Sequence, residues 1–392
     1  MLQKNMLAYN PQWLDNTQIQ EQIKNWFKKN LITQEQSFLI QQHYPASFYT
    51  PNAFIRIGLG FFAAILLGAA QLFFWVVVGL ATGGDEMFGI VGFFYLIQSM
   101  GCFFILESFI KRRHHYASGI DDILLYTTVG EMIAGICLLS PYIDDPIPYF
   151  CIGLPFLVIG AVRYIDRILT LLAYGCLLTI VLLIVNKIPG LALYLLPFTG
   201  IGFSLTAYFL VRKYQKLHHL RYWSGNFQIV EIVSLITFYL SGNFLFIQES
   251  AEELFGLPVV PMGWFFWTFT LSVPLGYMYL GLKNKDRGML WIGLGCVAFA
   301  VFTFRTYFHV MPLPYAASLA GGFLFVLAYV AIQYLKKGIP GFTYEPEDTN
   351  KPVFLEAEAL VVAQTFGHAQ TPENDLSFGG GKFGGGGAGG DF

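Results

Sequence analysis

The chain has 392 residues, of which 55% are hydrophobic and only 12% are charged, and its formal net charge is −2. Soluble proteins typically contain about a quarter charged residues, so this composition indicates a polytopic membrane protein that contacts the lipid bilayer. A segment that crosses the hydrocarbon core must satisfy its backbone hydrogen bonds internally, so we predict an all-α fold. The near-neutral charge, with basic residues clustered in loops, argues against a nucleic-acid partner.

The sequence lacks the motifs of common catalytic machinery. It contains no HExxH, P-loop, GxSxG or intramembrane aspartyl-protease signature, so we assign no catalytic residues. The five cysteines fall inside apolar segments at irregular spacing and without a CxxC pair, which is typical of small buried side chains. We therefore expect neither a disulfide framework nor a zinc site built from cysteine.

Residues 1–53 are polar and predict a small cytoplasmic helical hairpin. Over residues 16–29 four apolar side chains recur at helical spacing, namely Ile19, Ile23, Trp26 and Phe27. Thr33 and Gln36 fit a capping box that starts a second helix ending at about His43. The unit is too small to build an ample core alone, so we expect its apolar stripe to rest on itself, on the membrane surface or on a partner.

A transmembrane bundle is predicted over residues 54–337. Ten apolar segments have about the length needed to cross the hydrocarbon core, although two of them are short. The predicted spans are 54–80, 88–110, 118–140, 148–162, 168–186, 189–211, 226–247, 261–282, 288–305 and 312–335. Pro155 interrupts the fourth span, which favours a kinked helix packed inside the bundle.

The charges in the connections alternate between the two ends of these spans. Basic residues collect in every second connection: Lys111, Arg112, Arg113, Arg163, Arg167, Arg212, Lys213, Lys216, Arg221, Lys283, Lys285, Arg287, Lys336 and Lys337. The other connections carry mainly acids, with Lys187 and Arg305 as the exceptions. Lys and Arg in short loops resist translocation, so we predict a bacterial cytoplasmic (inner) membrane protein with both termini in the cytoplasm.

Residues 338–392 are predicted to form a flexible cytoplasmic tail. Nine of the last fifteen residues are glycine, and hydrophobic periodicity is lost. Such a segment cannot bury enough apolar surface to offset its conformational entropy. The predicted organisation is therefore a cytoplasmic hairpin, a membrane bundle and a disordered tail.

Glu131 is the principal candidate for an intramembrane polar site. It falls near the middle of its predicted span, where a carboxylate costs at least ~2.5 kcal/mol to insert. A helical projection places five residues within about a quarter turn of one another: Asp121, Leu124, Thr128, Glu131 and Gly135. This stripe is consistent with a proton or cation path, or with a protonated glutamic acid that hydrogen-bonds a neighbouring helix.

Glu231 is a second candidate, on the seventh predicted span, where Ser234 and Ser241 share its side of the helix. It falls one to two turns from the cytoplasmic boundary, where partial hydration lowers the cost of the charge. Glu107 precedes Lys111 by one turn, the spacing of an ordinary helix-surface ion pair.

Two histidine pairs are predicted on the same inner face. They are His114 with His115, and His218 with His219. Neighbouring histidines point in different directions, and the chain lacks the spaced histidine boxes of di-iron membrane enzymes. We interpret the pairs as interfacial basic residues and assign no metal and no cofactor.

A short motif marks the hairpin. Its residues are Trp26, Phe27, Leu31, Ile32, Thr33, Glu35, Gln36, Ile40 and Tyr44, and Lys-Arg-Arg-His-His-Tyr-Ala-Ser-Gly-Ile-Asp-Asp follows at 111–122. These features resemble a family of bacterial membrane proteins, domain of unknown function 2157. Asn30 departs from the family pattern, in which glycine usually precedes the Leu-Ile pair. The resemblance covers the hairpin and the first three spans; it implies a bacterial cytoplasmic membrane, but no activity and no site residues.

Two classes of function remain open from the sequence. In the first, the protein is a small-solute or ion transporter that uses Glu131 and Glu231. In the second, it is a membrane-embedded scaffold or sensor whose hairpin and tail recruit a cytoplasmic protein partner, while the buried acids only pack helices. The cargo and the oligomeric state stay open, and access of Glu131 to solvent would separate the two classes.

Overall fold

The structure is a computed structural model that describes residues 6–308, except for 29–30, 82–84, 141–143 and 257–259, together with scattered positions between 315 and 333. The fold of the described chain is all-α, which confirms the predicted class. Its helices are α1 (Pro11–Lys28), α2 (Gln34–His43), α3 (Ala53–Ala81), α4 (Asp85–Arg113), α5 (Ile120–Leu139), α6 (Ile147–Arg163), α7 (Arg167–Asn186), α8 (Ala192–Tyr214), α9 (Ser224–Gly242), α10 (Phe244–Phe255), α11 (Gly263–Asn284) and α12 (Arg287–Phe308). A short 3-10 helix, His218–Trp223, leads into α9.

The N-terminal hairpin forms with the predicted capping box. The Thr33 hydroxyl accepts from the Gln36 backbone N–H at 3.2 Å, and Gln36 Oε1 accepts from the Thr33 N–H at 2.9 Å. Helix α1 begins earlier than residue 16, at Pro11, because proline suits the first helical position and Asn10 Oδ1 accepts from the Gln12 N–H at 3.0 Å.

Each of the first nine predicted spans coincides with helix. Within the described residues, seven helices are long and apolar enough to cross a membrane, or eight if the bent pair α9 and α10 is one span, which fits an integral membrane protein. Helix α6 is shorter, at 17 residues, and continues through Pro155. The tenth predicted span, 312–335, is described only at scattered positions, and the predicted tail, 338–392, lies outside the described residues.

The seventh predicted span, 226–247, differs from the structure because its helix breaks at Asn243. Helices α9 and α10 meet there at a bend of 68°. The Asn243 side chain, which is fully buried, accepts from the Phe246 N–H at 3.3 Å and so caps α10. Its amide also donates to the Tyr239 hydroxyl at 3.1 Å and to Thr303 Oγ1 at 3.2 Å. These bonds replace the helical hydrogen bonds that a straight span would make.

Helices α4 and α5 pack with unusually close backbones. A Cβ atom on Gly135 would lie 2.9 Å from the Gly92 carbonyl oxygen, so only glycine fits at this contact. Helix α3 packs less deeply, and only Gly60 and Val78 are buried along it. Gln71 is nevertheless placed against α5, where it meets Glu131.

Side-chain contacts gather the basic helix ends on one face of the bundle. Arg56 pairs with Asp122 at 2.7 Å, Arg163 with Glu107 at 2.7 Å, and Arg212 with Asp286 at 2.6 Å. The Trp223 indole joins this group by donating to the Val162 carbonyl at 2.8 Å. We call this end of the bundle the basic face. Lys187 pairs with Asp145 at the opposite end.

Candidate functional site

Glu131 lies inside the bundle, about 16 Å along α5 from Ile120. Its side chain is only 5% exposed. The Gln71 amide donates a hydrogen bond to Glu131 Oε1, whereas Glu131 Oε2 is buried without a hydrogen-bond partner among the described residues. The carboxyl group is therefore held from one side, and its second oxygen is free to carry or receive a proton.

The predicted polar stripe of α5 faces inward. Asp121, Leu124, Thr128, Glu131 and Gly135 are all buried. The burial follows the 3.6-residue period that placed these residues on one side of the helix. The stripe is therefore a buried face of α5. Whether it could also conduct protons or cations depends on whether its polar groups are connected by hydrogen bonds.

Asp121 fixes the turn that leads into α5. Its Oδ1 accepts from the Ser118 N–H and from the Ser118 hydroxyl, each at 2.8 Å. Because that hydroxyl proton goes to Asp121, the Ser118 oxygen accepts from His115 Nδ1 at 2.7 Å. Asp121 Oδ1 thus bonds within its own loop.

Thr128 joins α4 to α5 by a separate pair of bonds. Its hydroxyl donates to the Leu124 carbonyl at 2.7 Å, and its carbonyl accepts from the Ser99 hydroxyl at 2.7 Å. Asp121, Thr128 and Glu131 therefore bond to different partners, and these hydrogen bonds do not form a continuous relay.

Glu231 belongs to an ionic cluster at the basic face. Its Oε1 lies 2.6 Å from Arg212, its Oε2 accepts from Gln215 at 3.2 Å, and the same guanidinium lies 2.6 Å from Asp286. Ser234, one turn further along α9, donates to the Val230 carbonyl at 2.6 Å. Glu231 and Ser234 thus form contacts separate from those of Glu131.

His114 and His115 take part in loop packing. His114 lies edge-on to Trp13 with ring centroids 4.6 Å apart, and His115 packs on Tyr49 at 4.9 Å. Burial lowers the pKa of His115, and Arg113 adds to this effect, while Asp121 opposes it. Within the described part of the chain, no group of three His, Cys, Asp or Glu residues is placed to hold a metal ion.

Glu107 has a larger role than its spacing from Lys111 indicates. The predicted Lys111 pair forms at 2.7 Å, but Glu107 Oε1 also accepts from Arg163 Nη2 at 2.7 Å and from the Tyr164 hydroxyl at 2.9 Å. Only 8% of Glu107 is exposed. Arg163 and Tyr164, at the end of α6, are distant from Glu107 in sequence, so no local pattern identifies them.

The most informative arrangement missed in the sequence lies at the end of α6. Three successive carbonyls there accept hydrogen bonds from distant donors: Ala161 O from Asn226 Nδ2 at 3.0 Å, Val162 O from Trp223 Nε1 at 2.8 Å, and Arg163 O from the Ala8 N–H at 3.0 Å. The last carbonyls of a helix lack partners within it. Here they join the start of α9 to the N-terminal segment.

The N-terminal segment is seated on the basic face by aromatic packing. Tyr9 is 8% exposed and meets Phe48 and Tyr116 edge-on, with ring centroids 6.1 and 4.9 Å apart. Burial raises the pKa of the Tyr9 phenol well above its ordinary value. Leu7, Tyr9 and Leu14 belong to the same core cluster as buried residues of the bundle. The hairpin is therefore packed on the bundle.

The far side of the hairpin leaves apolar side chains exposed. On α2, Phe38 and Leu39 are 60% and 62% exposed. Three more exposed apolar residues belong to the hairpin: Trp26, Phe27 and Leu31. The predicted stripe on α1 is thus divided, because Ile23 is fully buried while Trp26 and Phe27 face outward.

Comparison with known proteins finds no matching family, no similar curated protein and no similar solved structure. The resemblance of the hairpin to domain of unknown function 2157 stays a prediction.

Proposed function

We propose that the protein is a membrane-embedded scaffold or sensor whose N-terminal hairpin recruits a cytoplasmic protein partner. In this proposal the membrane is a bacterial cytoplasmic membrane, and the basic face and both termini are cytoplasmic. The observation that supports it is how the hairpin packs on the bundle: residues near Tyr9 are buried against the bundle, while Phe38 and Leu39 on α2 are exposed. Such a unit is held in a fixed place and still offers a free apolar surface.

The chemistry of α2 favours a protein over the bilayer surface as its partner. Helices that lie in the membrane interface combine an apolar face with Lys and Arg residues that contact lipid headgroups. Helix α2 carries Glu35 and no Lys or Arg. Exposed Phe and Leu beside uncharged polar residues match the composition of a protein interface.

The buried acids support the same class of function. Asp121, Glu107 and Glu231 each bond to neighbouring groups that fix loops or helix ends. These contacts account for the three carboxylates without a transport role. Glu107 Oε2 is paired with Lys111 Nζ at 2.7 Å, whereas Glu131 Oε2 is buried without a hydrogen-bond partner in the described residues.

The test of this proposal is site-specific photocrosslinking in intact cells. We expect benzoylphenylalanine at Phe38 or Leu39 to form an adduct of one fixed mass with a protein, and the same group at exposed Gln42 to form none. The same group at exposed Leu31 should form that adduct too, and Phe38→Ser together with Leu39→Ser should then abolish it without lowering thermal stability, because both side chains are exposed. Adducts with lipid alone, or none, would contradict the proposal.

A second candidate function, proton or cation transport, is favoured by the free oxygen of Glu131. A carboxyl group at mid-depth with one unpartnered oxygen is suited to taking up and releasing a proton. The Gln71 amide, which donates to Glu131 Oε1, would orient the carboxyl group in either protonation state.

The transport candidate is tested by flux in reconstituted vesicles. Glu131→Gln keeps the size and hydrogen-bonding capacity of the neutral acid but removes the exchangeable proton. A transporter should then stay folded and lose pH-driven flux, whereas a scaffold should keep its expression level and thermal stability. If wild-type and Glu131→Gln vesicles show the same proton movement with every member of a panel of small solutes, the transporter candidate is ruled out.

A further inference from the structure

A partly open cavity of about 730 Å³ lies between α6, α7, α8 and the start of α9. Its walls are almost wholly apolar, and Met6 and Trp223 line it beside the basic face. This volume is typical of small-molecule binding sites, which span about 300–1,000 Å³. Two buried polar side chains interrupt the apolar walls, and they distinguish this cavity from a packing defect.

The first is Asn226, which is only 6% exposed. Its Nδ2 donates to the carbonyls of Ala161 and Asp166 at 3.0 and 3.3 Å and lies 2.8 Å from Thr170 Oγ1. Two of these partners are carbonyl oxygens, which only accept, so the orientation of the amide is determined. Asn226 Oδ1 is therefore an acceptor, and it is buried without a partner in the described residues.

The second is Tyr174, which is 7% exposed and whose hydroxyl is also buried without a partner in the described chain. Tyr174 follows Thr170 by one turn of α7, so the two side chains lie on the same side of that helix. Since Thr170 bonds to Asn226, the two unsatisfied groups lie on neighbouring parts of one wall. Buried polar atoms without partners are costly, and a bound ligand relieves that cost.

We propose that this cavity binds a lipid-like molecule with an aliphatic body and one uncharged hydroxyl group. The hydroxyl donates to Asn226 Oδ1 and accepts from the Tyr174 hydroxyl, which satisfies both groups at once. The apolar walls receive the aliphatic body. A charged headgroup does not fit, because the described lining offers no Lys, Arg, Asp or Glu side chain to pair with it, and the basic side chain that it does contain, His219, is exposed.

The same ligand class is indicated by the mouth of the cavity. Val158, Leu177 and Leu210 line it and are 43%, 42% and 47% exposed. They lie on predicted membrane spans, where the surrounding medium is hydrocarbon. A molecule that enters past them is already dissolved in the bilayer.

The first test compares two probes with the protein in nanodiscs: a photoreactive long-chain alcohol and its methyl ether. The alcohol should bind about three- to tenfold more tightly, because only the alcohol donates to Asn226. Tyr174→Phe should weaken both probes by about three- to tenfold without loss of thermal stability, since that hydroxyl makes no bond in the free protein. Tyr194→Phe, at a 46% exposed tyrosine, is the matched control and should leave the affinity for both probes unchanged.

The second test fills the cavity. Ala173→Phe and Ala207→Phe project a ring into the space and should each abolish saturable labelling of cavity residues. Equal binding of alcohol and ether, or labelling that persists in a folded filled variant, overturns the proposal. The inference rests on the cavity alone, so binding can succeed or fail independently of crosslinking from Phe38.

Discussion

Asp15 on α1 and Arg221 in the 3-10 helix form an ion pair at 2.7 Å, although 206 residues separate them in sequence. The Tyr222 hydroxyl donates to the same carboxylate oxygen at 3.0 Å. Hydrogen bonding to Tyr222 and the charge of Asp15 raise the pKa of Arg221. The hairpin is thus joined to the segment that leads into α9, the helix that carries Asn226.

Asp15→Asn should loosen the hairpin without unfolding the bundle. The pair is partly exposed, so its loss should cost no more than about 1 kcal/mol. We expect faster proteolysis and hydrogen exchange at residues 7–16 and little change in the melting temperature of the bundle. Glu35→Gln, at an exposed acid of α2, is the control, and equal rates in the two variants would show that the ion pair does not hold the hairpin.

The loop at residues 114–119 should weaken as the pH falls. The folded-state pKa of His115 lies below the ordinary value of about 6.5, chiefly because burial disfavours the imidazolium. Between these two pKa values the unfolded loop binds more protons than the folded loop, so stability rises with pH through that window and is lost below it.

Hydrogen exchange of that loop at about pH 7.5 and about pH 5.5 measures the effect. We expect more exchange at the lower pH after correction for the intrinsic rate. His115→Gln retains a donor for Ser118 and should remove the dependence. A variant with the same pH dependence as the wild type would assign it to another group.

The helices could be predicted from the sequence because their signals are local. Apolar runs between charged connections predicted segments that are helical in the structure at each of the first nine proposed spans, and Thr33 with Gln36 predicted the start of α2. The period of α5 likewise placed Glu131 on a buried face. Each of these features depends on residues within a few turns of one another.

The contacts that define the candidate sites could not be predicted in this way. Gln71 reaches Glu131 across 60 residues, and Ala8, in the N-terminal segment, donates to the distant Arg163 carbonyl. The bend at Asn243 also depends on Thr303, which lies on a different helix. Hydropathy gives the order of the helices, but it does not determine which side chains meet between them.

Arg212→Ala should destabilise the bundle by about 1–3 kcal/mol. The guanidinium lies between Glu231 and Asp286, and its removal leaves two neighbouring carboxylates without their cation. The estimate is below that for a fully buried pair because Arg212 is 36% exposed. Thermal unfolding in detergent checks it, with Lys213→Ala as the matched exposed control. Equal melting temperatures would show that the cluster is not stabilising.

Trp223→Phe tests whether the cavity and the hairpin are linked through the end of α6. Trp223 lines the cavity, is 6% exposed and donates to the Val162 carbonyl, while the next carbonyl along the chain accepts from Ala8. Phenylalanine keeps most of the apolar contact but removes the donor, which leaves a buried carbonyl without that bond.

The variant should lose about 1–3 kcal/mol and show faster exchange at the Ala8 amide than the wild type. Trp264→Phe is the matched control because Trp264 is 72% exposed, and it should leave both measurements unchanged. If only the stability falls while the exchange at Ala8 stays at the wild-type rate, then Trp223 supports the fold without coupling the cavity to the hairpin. If both change together, the successive carbonyls of α6 form the physical connection between the cavity and the partner-binding surface.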